Sequence, residues 1–148
     1  MTFLIAVDGS DASDNALAHA TDLAAKLETD LLVVHAVEPA VVDLGGDEPT
    51  GFDDTAGRLV AEAIEDAEDA AEAVLEEAVD YATAAGVTAE TEVLYGPPVQ
   101  SIADVTARSG VTGLFVGHRG LSERYEGLVG SVAKGLVERS QVPVTVVR

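Results

Sequence analysis

Short apolar runs alternate with segments of helical periodicity along the whole chain, and that alternation narrows the fold more than any other feature. Phe3 to Val7, Leu31 to Val34 and residues 111–116 are apolar on both faces, as strands buried in a parallel sheet are. Residues 87–95 set Val87, Ala89, Thr91 and Val93 against Thr88, Glu90, Glu92 and Leu94, the pattern of an edge strand with one wet face. Residues 142–147 read as a last strand. A helix is expected from the Asp8-Gly9-Ser10-Asp11 turn to about Leu27, with Ala12, Ala16, Ala20, Leu23, Ala24 and Leu27 on one face. A longer one is expected over 58–85, with Val60, Ile64, Ala67, Ala71, Val74, Ala78 and Ala82 as its buried stripe, nine acids solvating the rest and Gly86 as a left-handed cap. Two short helices follow, over 99–109 (Ile102 and Val105 inward, after Gly96-Pro97-Pro98) and 131–139. Strand and helix in strict alternation predict an α/β fold: one domain, 1–148, with a parallel sheet, right-handed crossovers and helices on both faces. In such sheets ligands bind beyond the carboxyl ends of strands, where Asp8, Ala36 and Gly117 all fall.

Composition removes several classes of function. The chain has no Cys, which excludes disulfides and thiolate metal sites. The first apolar run is too short for a signal peptide, and no stretch approaches the ~18 apolar residues of a membrane span. A cytoplasmic protein is the expectation. The net charge of −19 opposes nucleic-acid binding and docking on anionic membranes. Abundant acids with only two Lys suit a protein kept soluble in concentrated salt, so a halophilic source is expected. Residues 39–57, broken by Pro39, Gly45, Gly46, Pro49, Gly51 and Gly57, read as an acidic, mobile surface loop.

Positive charge is unevenly placed: six of the eight bases lie at or after Arg108, against three of the 27 acids. That region also holds Gly117-His-Arg-Gly120, nine further residues, then Gly130-Ser131. A strand, a glycine-rich connection and a helix start can together build an anion site. Glycine lets backbone N–H groups approach phosphate oxygens, and a helix N-terminus adds unpaired donors. Ser131 adds a hydroxyl at the position expected for an N-cap. The expected ligand carries phosphate, and a nucleotide is the favoured one. Asp8 reads either as a ligand contact or as an N-cap. Arg119 is the favoured cation for phosphate or ribose, ahead of Arg124. His35 reads as a strand-end hydrogen-bonding residue, His118 as pointing outward and His19 as a helix-surface residue.

Catalytic patterns are missing. Ser131-Val-Ala-Lys134 fits Ser-x-x-Lys without the companion motifs of β-lactamase-like enzymes. There is no Gly-x-Ser-x-Gly elbow, no Walker A sequence and no Gly-x-Gly-x-x-Gly after the first strand. Three His without short ligand spacing give no transition-metal site.

Four segments together resemble the universal stress protein family, in its ATP-binding branch, over essentially the whole length. They are Ile5-Ala-Val-Asp-Gly-Ser10, Leu32-Val-Val-His-Ala-Val-Glu38, the glycines Gly117-x2-Gly120-x9-Gly130-Ser131, and Gln141-Val-Pro-Val-Thr-Val-Val-Arg148. The resemblance implies a Rossmann-like fold of the adenine nucleotide alpha hydrolase type, with a five-stranded parallel sheet of order 3-2-1-4-5, and a homodimer paired through 142–147. It implies ATP or another adenine nucleotide as ligand, with Mg2+ on the phosphates. Asp8 would face the ribose or adenine, with the backbone of Ala6 and Val7 nearby. Ala36 would meet adenine through its backbone. Val116, Gly117, Arg119 and Gly120 would line ribose and phosphates, and Gly130, Ser131 and Val132 would hold phosphates. The expected function is a non-enzymatic, nucleotide-dependent stress-response protein with no catalytic residue. The alternatives are a slow ATPase or adenylyl-transferring enzyme, and an interaction module whose glycines only shape turns.

Overall fold

The computed structural model describes residues 1–38, 54–120 and 129–148, with the side chains of 54–60 outside that description. Most of the expected acidic loop (39–53), the Val60 side chain and Arg124 therefore lie outside the described residues. The elements run β1 (Thr2–Ala6), α1 (Asp11–Leu27), β2 (Asp30–Val37), α2 (Asp54–Ala84), β3 (Ala89–Tyr95), α3 (Pro98–Thr106), β4 (Val111–Gly117), α4 (Ser131–Arg139) and β5 (Val144–Val147). They form one five-stranded sheet in the order β3-β2-β1-β4-β5, as the resemblance implies, and every pairing is parallel.

The apolar strands at the centre supply both layers of the core. Phe3, Ile5, Val33 and Phe115 point to one face, where they pack with Ala16, Ala20 and Ala24 of α1 and Leu75, Ala78 and Ala82 of α2. Leu4, Val34, Leu114 and Val116 point to the other, against Ile102 and Val105 of α3 and Ala133 and Leu136 of α4. Successive side chains on a strand alternate faces, so apolar runs on both faces put β1 and β4 in the interior. β3 lies at one edge, as its alternating acids predict.

Several boundaries differ from the sequence reading. Helix α2 begins at Asp54, so 54–57 are helix and Gly57 falls in its first turn. The expected stripe does not extend to its beginning: Ile64 is exposed and Ala67 only half-buried. From Ala71 onward the helix meets the sheet, and there it also buries Leu75, which the periodicity left out. Strand β2 continues through His35 and Ala36 to Val37, because β3 pairs with it residue by residue up to Val37↔Tyr95. Strand β5 starts only at Val144. Before it, the Ser140 hydroxyl donates to Val142 O at 2.7 Å and turns the chain. At Gly113 an added Cβ would meet Phe3 Cδ1 at 3.5 Å, an ordinary contact beside the Phe3–Phe115 ring pair.

Candidate functional site

Strands β1 and β4 are neighbours whose chains leave in opposite directions, β1 toward β2 and β4 toward β5. Beyond their carboxyl ends the sheet opens into a crevice. A cleft of about 300 Å3 occupies it, a size at the lower end for small-molecule sites. All eleven residues singled out from the sequence line this cleft. Ala6, Val7 and Asp8 come from the end of β1 and Ala36 from β2. Val116, Gly117, Arg119 and Gly120 come from β4 and its exit, and Gly130, Ser131 and Val132 from the start of α4.

The β1–α1 turn is held by a chain of hydrogen bonds. The Asp8 N–H donates to Ser13 Oγ at 3.0 Å, and the Ser10 N–H donates to Asp8 Oδ1 at 2.9 Å. Ser10 is the N-cap of α1: its Oγ accepts from the Ser13 N–H at 3.2 Å and its hydroxyl donates to Arg119 O at 3.3 Å. Asp8 is thus not the cap. Its carboxylate accepts from the turn and lies against Gly120, where an added Cβ would come 2.6 Å from Asp8 Oδ2. The one serine hydroxyl joins the helix start to the glycine segment.

His118 forms the second junction. Its N–H donates to Val147 O at 2.7 Å, and its carbonyl accepts from the Gly130 N–H at 2.6 Å. The described parts of the glycine motif are therefore brought together by backbone hydrogen bonds, with β5 attached. The His118 ring does not point outward as expected. Its Nε2 accepts from Arg119 Nε–H at 3.0 Å, which leaves the proton on Nδ1, and that atom is buried without a partner among the described residues. His35 is the strand-end residue expected, with Nδ1–H donating to Val7 O at 2.7 Å. His19 lies exposed on α1, its ring 5.9 Å from that of Phe115.

The N-cap of α4 is Gly130, one position before the Ser131 expected in that role, and Ser131 is the first helical residue. Gly130 has φ −66° and ψ 162°, so its own carbonyl accepts from the Lys134 N–H at 3.1 Å. The N–H groups of the first turn, which belong to Ser131, Val132 and Ala133, have no partner within the helix and stand at the cleft. With the helix dipole they make the anion-favouring end of the site. The other end is apolar: Ala6, Ala36, Val116 and Ala133 form it, together with Pro98 and Ile102 of α3. Reading residue by residue missed Pro98 as a wall, although a Gly-Pro-Pro turn at a strand's carboxyl end carried the signal.

An apolar chamber joined to the backbone N–H donors of a helix start suits a base at one end and a phosphate at the other. The donor set suits a metal ion less by itself. Among the described residues Asp8 is the one carboxylate lining the cleft, and no group of three or more His, Cys, Asp or Glu side chains gathers. Phosphate oxygens would have to complete the coordination of a divalent ion there. Among the described residues no helix is long and apolar enough to cross a membrane.

Comparison with known proteins agrees with this geometry. A model of the universal stress protein family matches residues 1–148. Universal stress protein YxiE of Bacillus subtilis (strain 168) is 33% identical over 145 residues, covering 98% of this chain and 97% of its own. Among solved structures, the universal stress protein UspA from Lactobacillus plantarum superposes with a TM-score of 0.83 at 19% identity, over 100% of this chain and 97% of its own. A universal stress protein solved in complex with cAMP superposes with a TM-score of 0.72 at 30% identity, over 100% of this chain and 97% of its own.

Proposed function

The chain belongs to the universal stress protein family, and from that membership we propose that it binds an adenine nucleotide in the cleft between β1 and β4 and acts as a nucleotide-dependent stress-response protein. The observation that carries this reading is the meeting of the glycine segment 117–120, the start of α4 and an apolar chamber in one cleft at the switch point of the sheet. Adenine would occupy the chamber beside the Ala36 and Val7 backbone. Asp8 would accept from the ribose hydroxyls, and Arg119 with Gly117 and Gly120 would follow the ribose and first phosphate. Gly130, Ser131 and Val132 would hold phosphate oxygens. ATP, or another adenine nucleotide, is the proposed ligand, with Mg2+ carried chiefly by its phosphates. The cAMP-bound relative at 30% identity supports the adenine nucleotide class.

The reading makes the protein a binder rather than a catalyst. The Asp8 carboxylate is engaged by the Ser10 N–H, which suits it to orienting a ligand. We further place it in the cytoplasm of a halophile, on its −19 charge, and as a homodimer joined through β5, an edge strand whose residues are all half-buried. Nucleotide occupancy acts on partners only if the two states of the dimer differ in affinity for it.

The test is mass analysis of small molecules released from freshly purified protein, followed by titration calorimetry of the stripped protein. Gly130→Val serves as the variant: its backbone angles are open to valine, and the branched side chain fills the phosphate end. An adenine nucleotide released from wild type and not bound by the variant supports the reading. Unchanged affinity in a folded variant overturns the site.

A further inference from the structure

Two helices carry walls of the cleft, and their spacing is set outside it. Pro98 and Ile102 of α3 belong to the apolar end, and the start of α4 makes the anion-favouring end. Val99 and Gly135 do not line the cleft. They lie behind it, where the two helices touch: a Cβ added to Gly135 would sit 2.8 Å from Val99 Cγ2 and 2.9 Å from Cγ1. Val99 adjoins Pro98 in sequence, and Gly135 is one turn beyond Ser131. Each contact residue is thus joined through rigid helix to one wall. Four residues after Gly135, Arg139 Nη1 donates to Gln100 Oε1 at 3.0 Å, a second tie between the same helices. Glycine is a poor residue for a helix interior, and Gly135 has no positive φ to require it. What it provides is room for Val99. The valine cannot turn aside, because its χ1 is held to one rotamer in a helix and both its γ-methyls face the glycine.

We infer that Val99 and Gly135 are positioning residues for the ligand: their close contact sets the gap between the apolar wall on α3 and the backbone donors at the start of α4. The inference rests on the nucleotide reading above and adds the contact that gauges the site. Carbon atoms pack at about 3.5–4 Å, so a methyl group at 135 would part the helices there by roughly 0.7 Å or more. Hydrogen bonds from N–H to oxygen span only about 2.7–3.2 Å. The displacement exceeds that whole range. A nucleotide seated against Pro98 and Ile102 would then lose bonding distance to the α4 donors. One kept at the donors would leave a gap at the wall, which forfeits roughly a quarter to a half of the dispersion attraction there. In either position the ligand no longer engages both ends at once.

Titration calorimetry with ATP and Mg2+, and with cyclic adenosine monophosphate, tests the gauge in conditions where circular dichroism reports the wild-type fold for each protein. Gly135→Ala is expected to weaken both ligands about tenfold. Adding Val99→Ala to that variant frees the space, and both affinities are expected to return to within about twofold of wild type. Leu75→Ala serves as the control, since it removes buried volume on the opposite face of the sheet from α3 and α4. It is expected to lower Tm while leaving both affinities within about twofold of wild type, so lost stability by itself does not weaken binding. Unchanged affinity in folded Gly135→Ala, or a loss that Val99→Ala does not restore, overturns the inference and leaves the nucleotide reading standing. An equal loss in Leu75→Ala does the same. Failure of both ligands to bind wild type overturns the nucleotide reading and the gauge with it. Should Gly135→Ala not fold, Val99→Ile crowds the same contact from the α3 side and is expected to weaken both ligands about threefold; undiminished binding in that variant overturns the inference.

Discussion

Gly117 lies directly against the backbone of Ala12: a Cβ added to it would sit 2.7 Å from the Ala12 carbonyl carbon and 2.8 Å from Ser13 N. The glycine at the end of β4 is therefore set by how closely the start of α1 crosses the strand. It lets the N-cap of α1 and the glycine segment share the hydrogen bond from Ser10 to Arg119 O. Gly117→Ala is expected to lower stability by about 1–3 kcal/mol, as overpacking against rigid backbone does. Thermal unfolding would show this as a drop of roughly 5 °C in Tm. An unchanged Tm would mean that the close crossing is not a constraint.

Gly120 differs, because the atom its Cβ would meet is a side-chain oxygen, Asp8 Oδ2 at 2.6 Å. The carboxylate can swing away, so Gly120→Ala is expected to leave Tm within about 2 °C of wild type. Displacing Asp8 from the cleft is expected to weaken nucleotide binding about tenfold. Calorimetric titration alongside thermal unfolding separates the two glycines.

Gly135 lets α4 pack on α3, where an added Cβ would lie 2.8 Å from Val99 Cγ2. Alanine in a helix interior gains about 1 kcal/mol in propensity over glycine. The clash is expected to exceed that gain, so Gly135→Ala destabilises the protein. In the Val99→Ala background the space exists and the same change is expected to stabilise. A double-mutant cycle by denaturant unfolding should give coupling of about 1 kcal/mol or more; additive effects would refute the contact.

Glu92 on β3 and Arg108, after α3, form a paired contact, with Arg108 Nη2 donating to Glu92 Oε1 at 2.8 Å. These hydrogen bonds hold the Glu92 carboxyl below its ordinary value despite an opposing effect of burial. A carboxylate with a depressed folded-state pKa stabilises above its unfolded value and loses that contribution as pH falls through the folded one. Both side chains are largely solvated, so the contribution is expected to stay under about 1 kcal/mol. The stability difference between wild type and Glu92→Gln should shrink as pH drops from neutral to below the usual carboxylate range. A difference independent of pH would assign the effect to packing.

Much of this fold follows from periodicity alone. The bounds of α4 and the end of α1 coincide with those read from the sequence, because a change of period or a glycine marks each. The interior strands were legible because both their faces are apolar. What escaped depends on partners distant in sequence. Strand β2 runs past His35 because β3 is there to pair with it. Ile64 obeys the helical period yet lies exposed, ahead of the stretch from Ala71 to Ala82 that the core buries. The eleven cleft residues were legible as a set through spacing and family resemblance. Their separate roles were not. Gly117 answers to Ala12 through a contact 105 positions away, and the inward turn of His118 follows from Val147 and Arg119.

The central strand is also made before the other four. β1 has β2 on one side and β4 on the other, and its pairing with β4 begins at Thr2↔Val111. During synthesis Leu4 and Ile5, fully enclosed in the finished molecule, leave the ribosome long before residues 111–117 exist to cover their second flank. Half the sheet must wait with an open hydrogen-bonding edge, and the contact that closes it spans most of the chain. Such non-local closure makes for slow folding. In a nascent chain of this kind, the interval before β4 emerges is when assistance from a chaperone, or loss to aggregation, is decided.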